Sequence, residues 1–168
     1  MNTQIQTKVK TPVMDFRSML SLDETDTLNG YELCLSGFRV QLEDIEKAYM
    51  AADAKGLVGG TLVQFAYGSL QLGVVTGRNL MVTNNFLTPV RYPIMVHSTR
   101  GYYEYSDECA VALSEPVHAV ALLKNGDYLE GVVTGVKVDE NKYGHVEIEG
   151  RLISMREFAV LEIATVKH

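Results

Sequence analysis

The chain has 168 residues, room for one domain or two small ones, and its 46% hydrophobic and 21% charged content is that of a folded protein. No apolar run approaches the roughly 18–20 residues of a membrane-spanning helix, and the opening MNTQIQTKVK lacks the apolar centre of a secretory signal, so the cytoplasm of the cell that makes or hosts the protein is the expected compartment. The net charge of −6 argues against nucleic acid until its distribution is considered, and two cysteines, Cys34 and Cys109, are too few and too far apart for a disulfide framework or a zinc site.

Residues 1–12 are polar and end at Pro12, which predicts a loose arm. A short helix is expected over 13–22, with Met14, Phe16, Met19 and Leu20 apolar, followed by a loop ending in the turn pair Asn29 and Gly30. Residues 31–40 alternate Tyr31, Leu33 and Leu35 before Gly37 and read as a strand or an irregular extended piece. The clearest helix covers 41–56. Leu42, Ile45, Tyr49 and Ala52 mark one face, acids sit early, Lys55 sits late and Gly56 supplies the stop. Both cysteines are expected as free, packed thiols.

From Leu57 the texture changes to short Val-, Leu-, Ile- and Tyr-rich runs between Gly, Asn and Asp. TLVQFAY, LQLGVVTG, NLMVTNN, YPIMVHS, ECAVALS, VHAVALLK, YLEGVVTGVKV, GHVEIEG and EFAVLEIA read as strands. Turns are expected at Tyr67 and Gly68, Asn79, Asn84 and Asn85, Asn125 and Gly126, and Tyr143 and Gly144. Close spacing of short strands points to small antiparallel barrels.

An internal repeat supports that reading. Gly68, Gly73, Val74, Val75, Thr76 and Gly77 recur 58 positions later as Gly126, Gly131, Val132, Val133, Thr134 and Gly135. About five short strands fit such a period, the size of one SH3-like barrel. Gly68 and Gly126 would end a first strand in a tight turn, and Gly73 and Gly131 would mark the bend that closes a barrel. The expected fold is therefore mainly β (α+β overall), with two tandem small SH3-like antiparallel barrels, at 57–115 and 116–168, behind an N-terminal arm and helical segment at 1–56.

The charge is uneven along the chain. Residues 15–53 hold nine acids and three bases, and residues 104–168 hold twelve acids and six bases. Residues 54–103 hold no acid at all, but carry Lys55, Arg78, Arg91 and Arg100 together with Tyr67, Tyr92, Tyr102, Tyr103 and His97. A positive, tyrosine-bearing block inside an acidic protein is a candidate nucleic-acid face. Lys55, Arg78, Arg91 and Arg100 would meet phosphates, and Tyr92, Tyr102 and Tyr103 would stack on bases or pack on sugars. No recognition helix with convergent Arg, Asn or Gln is visible, so little sequence preference is expected.

Residues 124–150, KNGDYLEGVVTGVKVDENKYGHVEIEG, resemble the start of a Tudor- or KOW-type SH3-like barrel. Asn125, Gly126, Tyr128, Gly131 and Val133 match the Tudor hairpin pattern, while Leu129 stands where that family often has a second aromatic. In the first copy Leu70 replaces Tyr128, and that copy is similar to the KOW style, in which a glycine-rich loop and basic residues face nucleic acid. Two such units behind a helical piece also resemble the MotB-like transcription modifiers of phages. The resemblance implies a phage-encoded, DNA-binding regulator that acts on host transcription or nucleoid organisation, with DNA favoured over RNA.

Catalysis is not expected. His97, His118, His145 and His168 show no metal spacing, and no nucleophile elbow, P-loop or dinucleotide fingerprint is present, so no cofactor or metal is expected. A rival reading is a protein-interaction module. The acidic helix and the acidic second unit, with Tyr128 and Tyr143 as contact aromatics, would dock a basic partner such as a polymerase subunit, ribosomal protein or nucleoid protein. A structural part of a virion is a further alternative.

Overall fold

The computed structural model describes residues 42–80, 88–114 and 116–165. The arm, the helix expected at 13–22, the extended piece at 31–40 with Cys34, and most of the strand expected at 79–85 lie outside the described residues. Helix α1 spans Leu42–Ala54. Ile45, Tyr49 and Ala52 are buried on it as their spacing requires. Gly56 ends it at φ +76°, a left-handed conformation that glycine adopts without steric cost, while the N–H groups of Gly56 and Leu57 close the last turn onto Asp53 and Ala52.

Ten strands follow among the described residues, with a one-turn helix α2 (Thr88–Arg91) between the second and third. The first five are β1 (Thr61–Phe65), β2 (Leu72–Arg78), β3 (Ile94–Ser98), β4 (Gly101–Tyr105) and β5 (Ala110–Ala112). The second five are β6 (His118–Leu123), β7 (Tyr128–Val138), β8 (Gly144–Ile148), β9 (Arg151–Ser154) and β10 (Phe158–Ile163), with a 3-10 turn at Met155–Glu157. They form two five-stranded sheets, ordered β4-β3-β2-β1-β5 and β10-β6-β7-β8-β9, and every pairing is antiparallel. Numbered within each half, the order is the same: fourth, third, second, first, fifth. The sequence repeat is thus a repeat of topology. Both sheets are open, with no ladder between β4 and β5 or between β9 and β10 among the described residues.

The GVVTG segments occupy the second strand of each sheet, but the bend is not where the sequence reading put it. Gly73 and Gly131 sit in unbroken register, opposite Val63 and Ala119 respectively. The register shifts later, between Val75 and Gly77 and between Val133 and Gly135, so that Thr76 and Thr134 are the extra residues of matching β-bulges. The Thr76 hydroxyl donates to the carbonyl of Met95, opposite the bulge, at 3.4 Å, and the Thr134 hydroxyl donates to the Glu147 carboxylate, opposite its own, at 2.7 Å. Gly73 is glycine for another reason. A Cβ there would lie 2.8 Å from Val96 Cγ1, so the bare backbone admits the neighbouring strand's side chain.

The faces of the first sheet alternate between two cores. Val63, Val75, Ile94, Val96 and Ala110 pack with Ala52 and Leu57, so the helix expected as a separate N-terminal piece covers this sheet. Leu62, Leu72 and Val74 join Ala121, Val146, Ile148, Ile153, Phe158 and Leu161 in a core shared with the second sheet. Backbone ties run the same way: the Ile163 N–H donates to the Leu70 carbonyl at 2.8 Å. Among the described residues no helix is long and apolar enough to cross a membrane.

Candidate nucleic-acid interface

The four cations of the acid-free block fall into two pairs. Lys55 Nζ lies 2.7 Å from Asp107 Oδ2, and this hydrogen bond raises the ammonium above the usual lysine range. Arg78 Nη2 lies 2.8 Å from Asp53 Oδ2, and its guanidinium sits 5.1 Å from the Tyr49 ring centre. Sequence proximity held no partner for Arg78. Both acids come from other segments, and the fold brings them in. Each contact is a surface ion pair of small energetic value, but it cancels a charge that phosphate would need. Arg91 and Arg100 are exposed and make no ion pair among the described residues.

The tyrosines divide as well. Tyr102 pairs with His97 and Tyr103 with Val96, so the two rings point to opposite faces of edge strand β4 and do not form one stacking surface. Tyr102 lies in the row Leu62, Val74, His97 that faces the second sheet. Its hydroxyl donates to Thr76 Oγ1 at 2.7 Å, and its ring stands edge-on to His97. Tyr103 is half exposed. Tyr92 follows Arg91 at the end of α2, is 41% exposed, and its carbonyl accepts the Asn79 side-chain amide at 2.8 Å. Arg78, Arg91 and Tyr92 therefore lie at one end of the β2–β3 pair, and Arg100, just past Ser98, lies at the other.

The proposed contact aromatics of the second unit stand at opposite ends of β7. Tyr128 is exposed at its start and donates to Glu130 Oε2 at 3.2 Å. Tyr143, in the turn after its end, lies between the Arg156 guanidinium at 4.6 Å and the His97 ring at 5.6 Å, and so belongs to the junction between the sheets.

His97 is almost wholly buried at that junction, and its Nδ1 accepts the Gly144 N–H at 3.0 Å. Burial, then the positive charges of Arg156 and His145, push its imidazole below the ordinary histidine value against the opposing pull of Asp139. Asp139 is itself held low, first by the His145 hydrogen bond at 2.8 Å. The unfolded chain binds a proton on His97 that the folded chain refuses. The stability linked to His97 is therefore complete above about pH 6.5 and is lost as pH falls below it toward the native value. The expected result is a lower urea midpoint at about pH 5.5 than at about pH 7.5, with a shallower dependence in His97→Gln. Equal slopes in both proteins would remove His97 as the cause.

One concave site combines aromatic and cationic groups, and sequence reading missed most of it. Phe65 at the end of β1 and Tyr105 at the end of β4 meet with ring centres 5.2 Å apart, tilted by 49°. Tyr67, Gln71 and Arg100 complete a cavity of about 260 Å³, with Ser69 and the half-buried thiol of Cys109 in its wall. The Ala66 N–H donates to the Cys109 carbonyl at 2.9 Å and draws that wall in. Among the described residues no carboxylate lines the cavity. Of its residues only Arg100 was a candidate from the sequence. Tyr67 carried a signal, as an aromatic beside the Gly68 turn in the acid-free block, but Phe65 and Tyr105 look like ordinary strand residues until the strands are placed. Among the described residues no three His, Cys, Asp or Glu side chains converge as metal ligands.

No protein-family model, curated protein or solved structure matches the chain.

Proposed function

We propose that the chain is a non-enzymatic nucleic-acid-binding protein that engages DNA in preference to RNA through its first unit, with little sequence preference. The observation that carries this reading is that Arg91 and Arg100 are exposed and make no ion pair among the described residues, in a segment, residues 54–103, that contains no acid, beside exposed Tyr67, Tyr92 and Tyr103. We read the two sheets as tandem SH3-like barrels of KOW and Tudor type. Two findings support this: the strand order common to both halves, and the contact of Phe65 on β1 with Tyr105 on β4. In a flat sheet those strands would stand about 14 Å apart, three spacings of roughly 4.8 Å, so the first sheet is strongly curled. From the resemblance to MotB-like phage regulators, we propose a role in the cytoplasm of a host cell, acting on transcription or the nucleoid.

Salt titration of binding tests the reading. If Arg91 and Arg100 make the phosphate contacts, the slope of log affinity against log salt on duplex DNA is expected near −1.8, whereas four phosphate contacts would give about −3.6. An Arg91→Ala, Arg100→Ala double variant should abolish the salt-dependent component. Absence of binding at low salt would overturn the proposal. The protein-interaction reading keeps one specific support, the exposed Tyr128 among Asp127 and Glu130. Capture of a basic protein that survives nuclease digestion would favour it.

A further inference from the structure

The cavity of the first unit is built from segments that only the fold assembles. The β1–β2 connection supplies Tyr67, Ser69 and Gln71, the β3–β4 turn supplies Arg100, and strand ends supply Phe65 and Tyr105. Its frame is fixed by local hydrogen bonds. Ser69 Oγ accepts the Gln71 N–H and the Ser69 carbonyl accepts Gln64 Nε2, both at 3.1 Å. The Arg100 N–H donates to Ser98 Oγ at 3.2 Å. Within this frame two polar groups have no partner among the described residues: the Gln71 carboxamide, with both donor and acceptor, and the Arg100 guanidinium. The Tyr67 ring is 78% exposed at the rim.

Size and charge narrow the occupant. About 260 Å³ lies below the roughly 300 Å³ at which pockets for drug-sized ligands begin, so there is room for one planar ring system. A methylated ammonium would want carboxylates and an all-aromatic wall, but here a guanidinium lines the cavity and, among the described residues, no acid does. An aromatic surface, an amide able to read a hydrogen-bonding edge and a cation are the groups that recognise a nucleotide.

Resting on the nucleic-acid reading above, we propose that this cavity takes one unpaired base of a single strand. The base lies against the Tyr67, Phe65 and Tyr105 rings, the Gln71 amide meets its edge and Arg100 meets the adjoining phosphate. A base inside a duplex has its faces covered by its neighbours and does not enter.

Anisotropy titrations of the full chain test this with oligo-dT, oligo-U and a duplex of equal length, for the wild type, Tyr67→Ala and Arg100→Gln. Tyr67 is exposed, so its variant should fold. The expected result is tighter binding of single strands than of duplex, and a loss of about five- to hundred-fold on single strands in Tyr67→Ala with duplex binding unchanged. Bound oligo-dT or oligo-U should also slow alkylation of Cys109, read by peptide mass spectrometry. Whichever of the two protects better assigns DNA or RNA as the source of the base. Equal affinity for duplex and single strands with no effect of Tyr67→Ala would overturn the base pocket and leave the broader reading standing. Failure of every nucleic acid to bind at low salt would overturn both. Protection of Cys109 by a trimethyl-lysine peptide but not by oligonucleotides would also overturn the base pocket.

Discussion

Replacing Phe158 by alanine is expected to cost about 3–5 kcal/mol and to weaken both sheets together. Phe158 is fully buried in the core that Leu62, Leu72 and Val74 of the first sheet share with the second. Leu72→Ala, made on the other side of that core, should cost about 2–5 kcal/mol. Against a total stability of about 5–15 kcal/mol, either loss is large. The informative measurement is native-state hydrogen exchange. In a single cooperative body, each variant lowers the protection of slow amides in β2 and in β7 by the same free energy. Two independently folding units would confine the Phe158→Ala effect to strands β6 to β10. That outcome would mean the shared core does not couple them.

Two glycines at the same place in the repeat should answer differently to alanine. In Gly73→Ala the new methyl lands 2.8 Å from Val96 Cγ1, inside the core beneath α1, where Val96 has no room to turn. Overpacking of this kind costs about 1–3 kcal/mol. In Gly131→Ala the methyl meets the side chain of Glu149, which is exposed and free to swing outward. The swing gives up the hydrogen bond from the Val132 N–H to Glu149 Oε1 at 2.8 Å, a loss offset by the roughly 0.4–1 kcal/mol that alanine gains by stiffening the unfolded chain. Thermal denaturation of the two variants checks this. Gly73→Ala should melt clearly below the wild type and Gly131→Ala close to it. Equal shifts would mean that the glycines serve the strand backbone rather than its neighbours.

How much of this was legible depended on the range of the interaction. Helix α1 could be read because Ile45, Tyr49 and Ala52 fall on one face within a single stretch of chain. The duplication could be read because it is written in residue identity, and the common strand order bears it out as topology. Strands β4 and β9 were missed. GYYEY does not alternate apolar with polar, and RLIS is only four residues long between a glycine turn and a 3-10 turn. Helix α2 is a single turn around Pro89 and carries no period. The site was the least legible part. Arg78 looks uncompensated in sequence because Asp53 reaches it only across the fold, and the partner of Lys55 is Asp107, fifty-two positions away, rather than nearby Asp53. Tyr102 and Tyr103 are neighbours in sequence and opposites in space, and the rings that do meet, Phe65 and Tyr105, are forty positions apart.

The face by which the first unit joins the second differs in kind from its counterpart in the second unit. In the first unit that face is Leu62, Leu72 and Val74, with Leu62 opposite Val74. The matching register in the second unit puts His118 opposite Val132, with Glu130 two residues before Val132. Where the first copy is leucine twice, the second has a histidine and a carboxylate, 3.4 Å apart and both about half exposed. A third unit stacked in the same manner would have to strip water from that pair. His118 and Glu130 therefore hold in water, in the second unit, the face that in the first unit is core.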